Sequence, residues 1–171
     1  VQVKTVENDG YEAVQIGFDE QRKAARVTKP MKGHFDRAGV SPRRHLCEVK
    51  GGGKALGDEI TVEMFAPGET VSVTGRSKGK GFQGGMKRHG FKGGPGGHGS
   101  MFNRAPGSIG ASATPSRVWK GKRMPGHMGN VRVTTQGLEI VDVKADQNLL
   151  LIKGSVPGSK GSVVLVRKEV R

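Results

Sequence analysis

Residues 70–138 contain no aspartate or glutamate, although the chain has 15 of them; the last before the stretch is Glu69 and the first after it is Glu139. The same stretch holds twelve of the 29 Lys and Arg residues and seventeen of the 29 glycines. Of the formal charge of +14, twelve units therefore sit in this stretch and two in the rest of the chain. A glycine loses more backbone entropy on ordering than any other residue and adds no side chain to a core, so the stretch cannot be an ordinary packed element. Nor is it a pure flexible linker, because Phe82, Met86, Phe91, Met101, Phe102, Ile109, Val118, Trp119, Met124 and Met128 punctuate it. The expected form is an extended loop that orders against a partner. A cationic segment of this kind calls for a polyanion, nucleic acid first and an anionic membrane surface second.

Length and composition narrow the choice. A chain of 171 residues with 33% hydrophobic content allows one domain, or one domain and an appendage, around a modest core. No apolar run approaches the roughly 18 residues needed to span a bilayer, and Val1-Gln2-Val3-Lys4 resembles no secretory leader. The expectation is an intracellular protein with no membrane partner. The single cysteine, Cys47, has no disulfide partner and no neighbour at metal-ligand spacing, which makes it a bystander thiol.

Outside the basic stretch the pattern is that of short strands. Strict alternation over residues 12–18 places Val14, Ile16 and Phe18 on one face, and Asn8-Asp9-Gly10 supplies a turn back to residues 1–6, so a β-hairpin is expected. A short helix follows Pro30, with Phe35 and Ala38 inward and Gly39 ending it in the left-handed conformation. Residues 60–65, 70–74, 131–135, 138–143, 149–153 and 163–167 are further strand candidates, with turns at Asp146-Gln147-Asn148 and Pro157-Gly158-Ser159. Strands at this spacing suggest a small β-barrel or closed sheet.

Two enzyme-like patterns fail on context. Gly79-Lys80-Gly81-Phe82-Gln83-Gly84 fits the spacing of a dinucleotide-binding loop, but no acidic residue stands about 20 positions on to hold a ribose, and more glycine follows where a helix should begin. His89, His98 and His127 have no Cys, Asp or Glu near them in sequence, so both a metal ligand set and a carboxylate to orient a catalytic histidine are missing. No catalytic residue, metal, cofactor or small-molecule substrate is expected. The candidate RNA-binding residues are Arg76, Lys78, Lys80, Lys87, Arg88, His89, Lys92, His98, Arg104, Arg117, Trp119, Lys120, Lys122, Arg123, His127 and Arg132. The cations would neutralise phosphates, and the ring side chains would stack on bases or donate hydrogen bonds.

Longer motifs then carry a resemblance. Thr74-Gly75-Arg76-Ser77-Lys78-Gly79-Lys80-Gly81-Phe82, Met86-Lys87-Arg88, Arg104-Ala105-Pro106-Gly107-Ser108-Ile109-Gly110, Val118-Trp119-Lys120-Gly121-Lys122-Arg123-Met124 and Gly126-His127-Met128-Gly129-Asn130 occur in the order found in bacterial-type ribosomal protein L3. Asp9-Gly10-Tyr11, Gly33-His34-Phe35 and Asn148-Leu149-Leu150-Leu151-Ile152-Lys153-Gly154 fit as well, so the resemblance covers essentially the whole chain. It implies a mainly β fold, a six-stranded barrel of the translation-protein type, with residues 1–74 and 131–171 as the body and 75–130 as an extended loop inserted in it. It also implies a structural constituent of the large ribosomal subunit that binds 23S-type rRNA early in assembly, beside neighbouring large-subunit proteins. The cytoplasmic ribosome is the implied location, with an organellar one left open.

In that reading Ile109, Gly110, Ala111, Ser112, Ala113, Thr114 and Pro115 form a loop tip that approaches the peptidyl transferase centre without doing chemistry. Residues 78–92 and 118–128 are the arms leading out and back. Two departures from the family pattern stand out. The family's usual opening segment and first strand pair are absent before Val1, so an incomplete barrel is expected. At the tip, Ala111-Ser112-Ala113 stands where many relatives carry polar or basic residues, including a glutamine that is methylated in some of them. The alternative reading is a non-ribosomal nucleic-acid-binding module.

Overall fold

The computed structural model describes residues 1–51 and 53–169, and these form two compact units, Val1–Thr61 and Val62–Arg171. The architecture is mainly β with few helices.

The first unit is built on the expected antiparallel pair. Strand β1 (Gln2–Lys4) leads through a one-turn helix, α1 (Val6–Asp9), into β2 (Ala13–Glu20), with Val3 opposite Val14. The turn is helical rather than a two-residue hairpin loop, because Gly10 takes φ +79 and closes α1 with its N–H on the Val6 carbonyl. Helix α2 (Lys29–Ala38) starts with proline in its first turn, buries Phe35 and Ala38 and stops at Gly39, φ +66, as the sequence predicts. The face of β2 that is best buried is the unexpected one. Ala13 is 2% exposed, whereas Phe18, on the face that alternation marks as apolar, is 63% exposed. Gln15, on the Ala13 side, has its Oε1 2.8 Å from His34 Nε2 of α2. Gly17 is on that side too, where a Cβ would meet Arg43 Cγ at 2.7 Å and the Val1 side chain at 2.8 Å. A third strand, β3 (Arg43–Lys50), pairs with β2 and completes the order β1-β2-β3.

The second unit opens with a correction. Residues 60–65 do not form a strand; Val62–Met64 are a 3₁₀ turn, with the Phe65 N–H on the Val62 carbonyl at 3.0 Å. Tertiary contacts override the β-branched composition here. Asn148 Oδ1 accepts the Val62 N–H at 3.1 Å, and Phe65 folds back onto the core.

Strand β4 (Thr70–Arg76) follows, then β5 (Gly81–Gln83), helix α3 (Gly85–His89), β6 (Gly126–Met128), β7 (Arg132–Lys144), β8 (Leu149–Lys153) and β9 (Val164–Lys168). Four of these make an antiparallel sheet in the order β8-β7-β4-β9. Its core is Val71, Val73, Leu138 and Ile140, each buried, with Val143, Leu150, Ile152, Val164 and Val166 packed against them. Each such side chain contributes roughly 1.5–3 kcal/mol through removal from water.

The expected closed barrel is not formed among the described residues: the sheets β1-β2-β3, β8-β7-β4-β9 and β5-β6 are all open, and β8 and β9 are edges of the largest. Four strands are too few to close a cylinder around side chains, and the strand expected at residues 60–65 is a turn. The two strands expected at 131–135 and 138–143 are one continuous β7. An extra residue near Gln136-Gly137 is absorbed as a bulge between the pairs Val73↔Thr135 and Val71↔Leu138, with Gly137 at φ +71.

Candidate nucleic-acid interface

Where β4 and β7 end, the acid-free segment leaves the sheet as two chains that stay paired. Arg76 and Arg132 are partners in the ladder. Beyond them the Ser77 N–H donates to the Val131 carbonyl (2.9 Å), the Asn130 N–H to the Ser77 carbonyl (3.1 Å) and the Lys80 N–H to the Met128 carbonyl (2.9 Å). Then β5 and β6 pair through Gly81↔Met128, Phe82↔His127 and Gln83↔Gly126. The close approach needs glycine: Gly129 sits at φ +74, and a Cβ there would overlap the Lys78 carbonyl oxygen.

Helix α3 extends this pairing. Its appearance corrects the expectation that no helix follows the glycine motif; Gly84 enters in extended conformation and Met86-Lys87-Arg88-His89 sustain one turn before Gly90 ends it at φ +72. The motif still cannot cradle a diphosphate. Its central residues Gly81–Gln83 are a strand whose backbone is engaged in the ladder with β6, and no carboxylate exists in the segment to bind a ribose. From α3, Arg88 Nη1 donates to the Met124 carbonyl at 2.6 Å and His89 Nε2 to the same oxygen at 3.0 Å. Gly126 leaves the room for this, since a Cβ there would meet Arg88 Nη1 at 2.6 Å.

The predicted residues thus divide into two sets. Arg88 and His89 are half-buried and tie the two chains together. Arg76 donates through Nε to Asn130, and His127 Nε2 donates to the Gly129 carbonyl at 3.0 Å, though both side chains remain exposed. Lys78, Lys80, Lys87, Lys92, Arg104, Lys120, Lys122, Arg123 and Arg132 are exposed, as is His98, which holds φ +56. Arg117 and Trp119 are brought together, the guanidinium carbon lying 4.4 Å from the ring centroid while Trp119 stays 60% exposed. Residues 109–115, expected as the tip, are irregular with a turn at 113–115 and are half-buried only at Pro115. Ser108 Oγ donates to the Gly110 carbonyl at 2.8 Å there.

Electrostatics separate this surface from the rest. Ion pairs form at Lys4–Glu48, Arg44–Asp19, Lys153–Glu139 and Lys168–Glu69; among the described residues none of the twelve cations of the segment meets a carboxylate. No group of three or more His, Cys, Asp or Glu side chains that could hold a metal ion occurs among the described residues, and no helix there is long and apolar enough to cross a membrane.

Sequence reasoning did not include Gly126, Gly129 and Asn130 among the site residues, yet they set the spacing of the two chains. The signal was the Gly-Asn pair, two residue types that accept positive φ, at +74 and +53 here.

The surface is thus a cationic one carried on two paired chains, with exposed lysines and arginines and histidines that donate to backbone carbonyls. Residues 54–149 match the family described as ribosomal protein L3. The chain is 56% identical to the large ribosomal subunit protein uL3 of Trichlorobacter lovleyi, over 100% of this chain and 82% of that protein. It is 57% identical to the protein of that name from Streptomyces avermitilis, over 97% and 79%, and 53% identical to that of Deinococcus radiodurans, over 100% and 81%. The chain belongs to the ribosomal protein L3 family, whose members are structural ribosomal components and not enzymes.

Proposed function

We propose that this chain is a structural constituent of the large ribosomal subunit that holds 23S-type rRNA through residues 75–130, with residues 1–74 and 131–171 as its body. The observation that carries the reading is the array of exposed cations that meet no carboxylate among the described residues, ten of the eleven Lys and Arg side chains of residues 75–130 being exposed. A surface left with uncompensated charge is relieved by a polyanion that releases its counterions. In this role the protein acts on the cytoplasmic ribosome, beside other large-subunit proteins, and supports early assembly by fixing the spacing of RNA helices. Residues 109–115 reach toward the peptidyl transferase centre and supply no chemical group there. Ala111-Ser112-Ala113 offers no glutamine for methylation.

The register makes a clean test available. Because Arg76 and Arg132 are ladder partners, a short glycine bridge can replace residues 77–131 without stretching the sheet. The shortened chain is expected to keep its circular dichroism and cooperative unfolding but to lose co-sedimentation with the large subunit in moderate salt. Retained association would move the RNA site to the body.

A further inference from the structure

Past α3, two stretches of the acid-free segment lie against each other. The Gly94 N–H donates to the Phe102 carbonyl at 3.1 Å, and a Cβ on Gly94 would stand 2.9 Å from Phe102 Cβ. A Cβ on Gly93, at φ +76, would collide with Met86 Cε and the Asn103 carbonyl oxygen. Two side-chain-free residues are therefore what lets the stretches touch. Beside this contact opens a hollow of about 360 Å³, lined by Phe91, Lys92, Gly93, Gly94, Phe102 and Pro106 among others.

The lining is uneven in a telling way. Phe91 is half-buried, its ring against Gly85 and 5.8 Å from that of His89. Phe102 is 61% exposed, a large aromatic surface at the edge of the hollow. Lys92 is exposed at the same hollow and has no carboxylate partner among the described residues. An apolar protein side chain would cover Phe102 but leave the ammonium unmatched. A nucleotide satisfies both, its base presenting a flat face to the ring and its phosphate a negative charge to the lysine. Paired bases show only their edges in the grooves, so the base must be unstacked.

We propose that this hollow receives one unpaired base of the RNA, stacked on Phe102, with the phosphate of that nucleotide on Lys92. The site rests on the RNA-binding role above and specifies one element of the RNA that the chain takes.

The experiment compares the full chain with its Phe102→Leu, Phe102→Tyr and Lys92→Ala variants, using a transcript of bacterial large-subunit rRNA. Affinity, its salt dependence and nucleotide-by-nucleotide chemical reactivity are measured. Phe102→Leu keeps apolar bulk but removes the π face; it is expected to weaken binding about tenfold at unchanged salt slope and to expose one nucleotide that the parent protects. Phe102→Tyr is expected to behave as the parent, and Lys92→Ala to make the salt slope shallower by about 0.7–0.9. Parental affinity and protection in Phe102→Leu would overturn the site, as would weakening with no single nucleotide changed. If the parent itself fails to bind the transcript, the RNA-binding role falls and takes this site with it; if the parent binds and Phe102→Leu is silent, only the base site falls. Phe102 is exposed, so circular dichroism of the variants should match the parent.

Discussion

Arg76 Nε donates to Asn130 Oδ1 at 2.7 Å, a side-chain hydrogen bond between residues 54 apart in sequence. The same Nε lies 3.3 Å from the Asn130 carbonyl oxygen, so one guanidinium nitrogen grips both acceptors of one asparagine. The clasp sits where the β4–β7 ladder ends and the two basic chains begin. Asn130 adopts φ +53, a conformation asparagine tolerates better than alanine. Asn130→Ala is therefore expected to cost about 1 kcal/mol, the bond being charge-assisted but exposed. The cost should be local. Amide exchange at Ser77 and Lys80, which pair across the clasp, should quicken while the sheet amides of β4 keep their protection; uniform quickening would show that the clasp holds the whole unit.

Val141 and Ile140 are adjacent in sequence and opposite in fate. Ile140 is fully buried in the β-sheet core, whereas Val141 is 57% exposed at the register shift between the Ile140↔Ile152 and Asp142↔Leu151 pairs. Ile140→Ala is expected to destabilise the second unit by about 3 kcal/mol through lost burial and the cavity left behind. Val141→Ala should cost less than about 0.5 kcal/mol. Urea unfolding of both variants at one pH checks the contrast, and equal losses would mean that the exposed face of β7 is packed in solution.

Much of this arrangement was legible in the sequence, and the parts that were not have physical causes. Helix α2 was readable because proline at its start, Phe35 and Ala38 at helical spacing and Gly39 at its end all agree. Strand β3 was missed because Arg43-Arg44-His45-Leu46-Cys47-Glu48-Val49-Lys50 offers no clean alternation; its pairing with β2 supplies the ladder that its own pattern does not announce. Residues 60–65 look like a strand in isolation, but Asn148, distant in sequence, captures the Val62 amide and makes a turn. The basic segment was visible from charge alone, since absence of acids needs no structure to detect. Its internal pairing was not, because it depends on glycines whose role is to be small at a contact rather than to form a pattern.

Acid should loosen the second unit in a defined direction. Glu69, immediately before β4, accepts from Lys168 Nζ at 2.8 Å and from the Ala66 N–H at 3.1 Å. The lysine first and the backbone amide second hold its carboxyl below the ordinary 4.5. A carboxyl lowered in the folded state binds fewer protons there than in the unfolded chain, so it adds stability above its unfolded pKa and loses it as pH falls through the folded value. The thermal midpoint of the parent should fall between pH 5 and pH 3 in part through this group, and Glu69→Gln should flatten that fall. An unchanged profile would assign the acid sensitivity elsewhere, with Glu48 next in line. Lys4 and then Tyr11 lower its carboxyl in the same direction.

Salt dependence discriminates most sharply between the proposed RNA role and any binding that depends on shape or apolar contact alone. The segment's twelve cations have no carboxylate within it to compete with phosphates, and eleven of them are exposed. If half of the twelve meet phosphates, the logarithm of affinity should fall with the logarithm of salt at a slope of roughly −4 to −5, using ~0.7–0.9 per contact. Arg88 gives an internal control. It is half-buried and already bound to the Met124 carbonyl, so Arg88→Gln should change the slope little while loosening α3, whereas Lys122→Ala, at an exposed cation, should make it shallower by about one contact. A slope near zero for the parent would refute phosphate neutralisation as the source of affinity. A slope that shifts as much with Arg88→Gln as with Lys122→Ala would show instead that the two chains separate when RNA binds and free Arg88 for a phosphate.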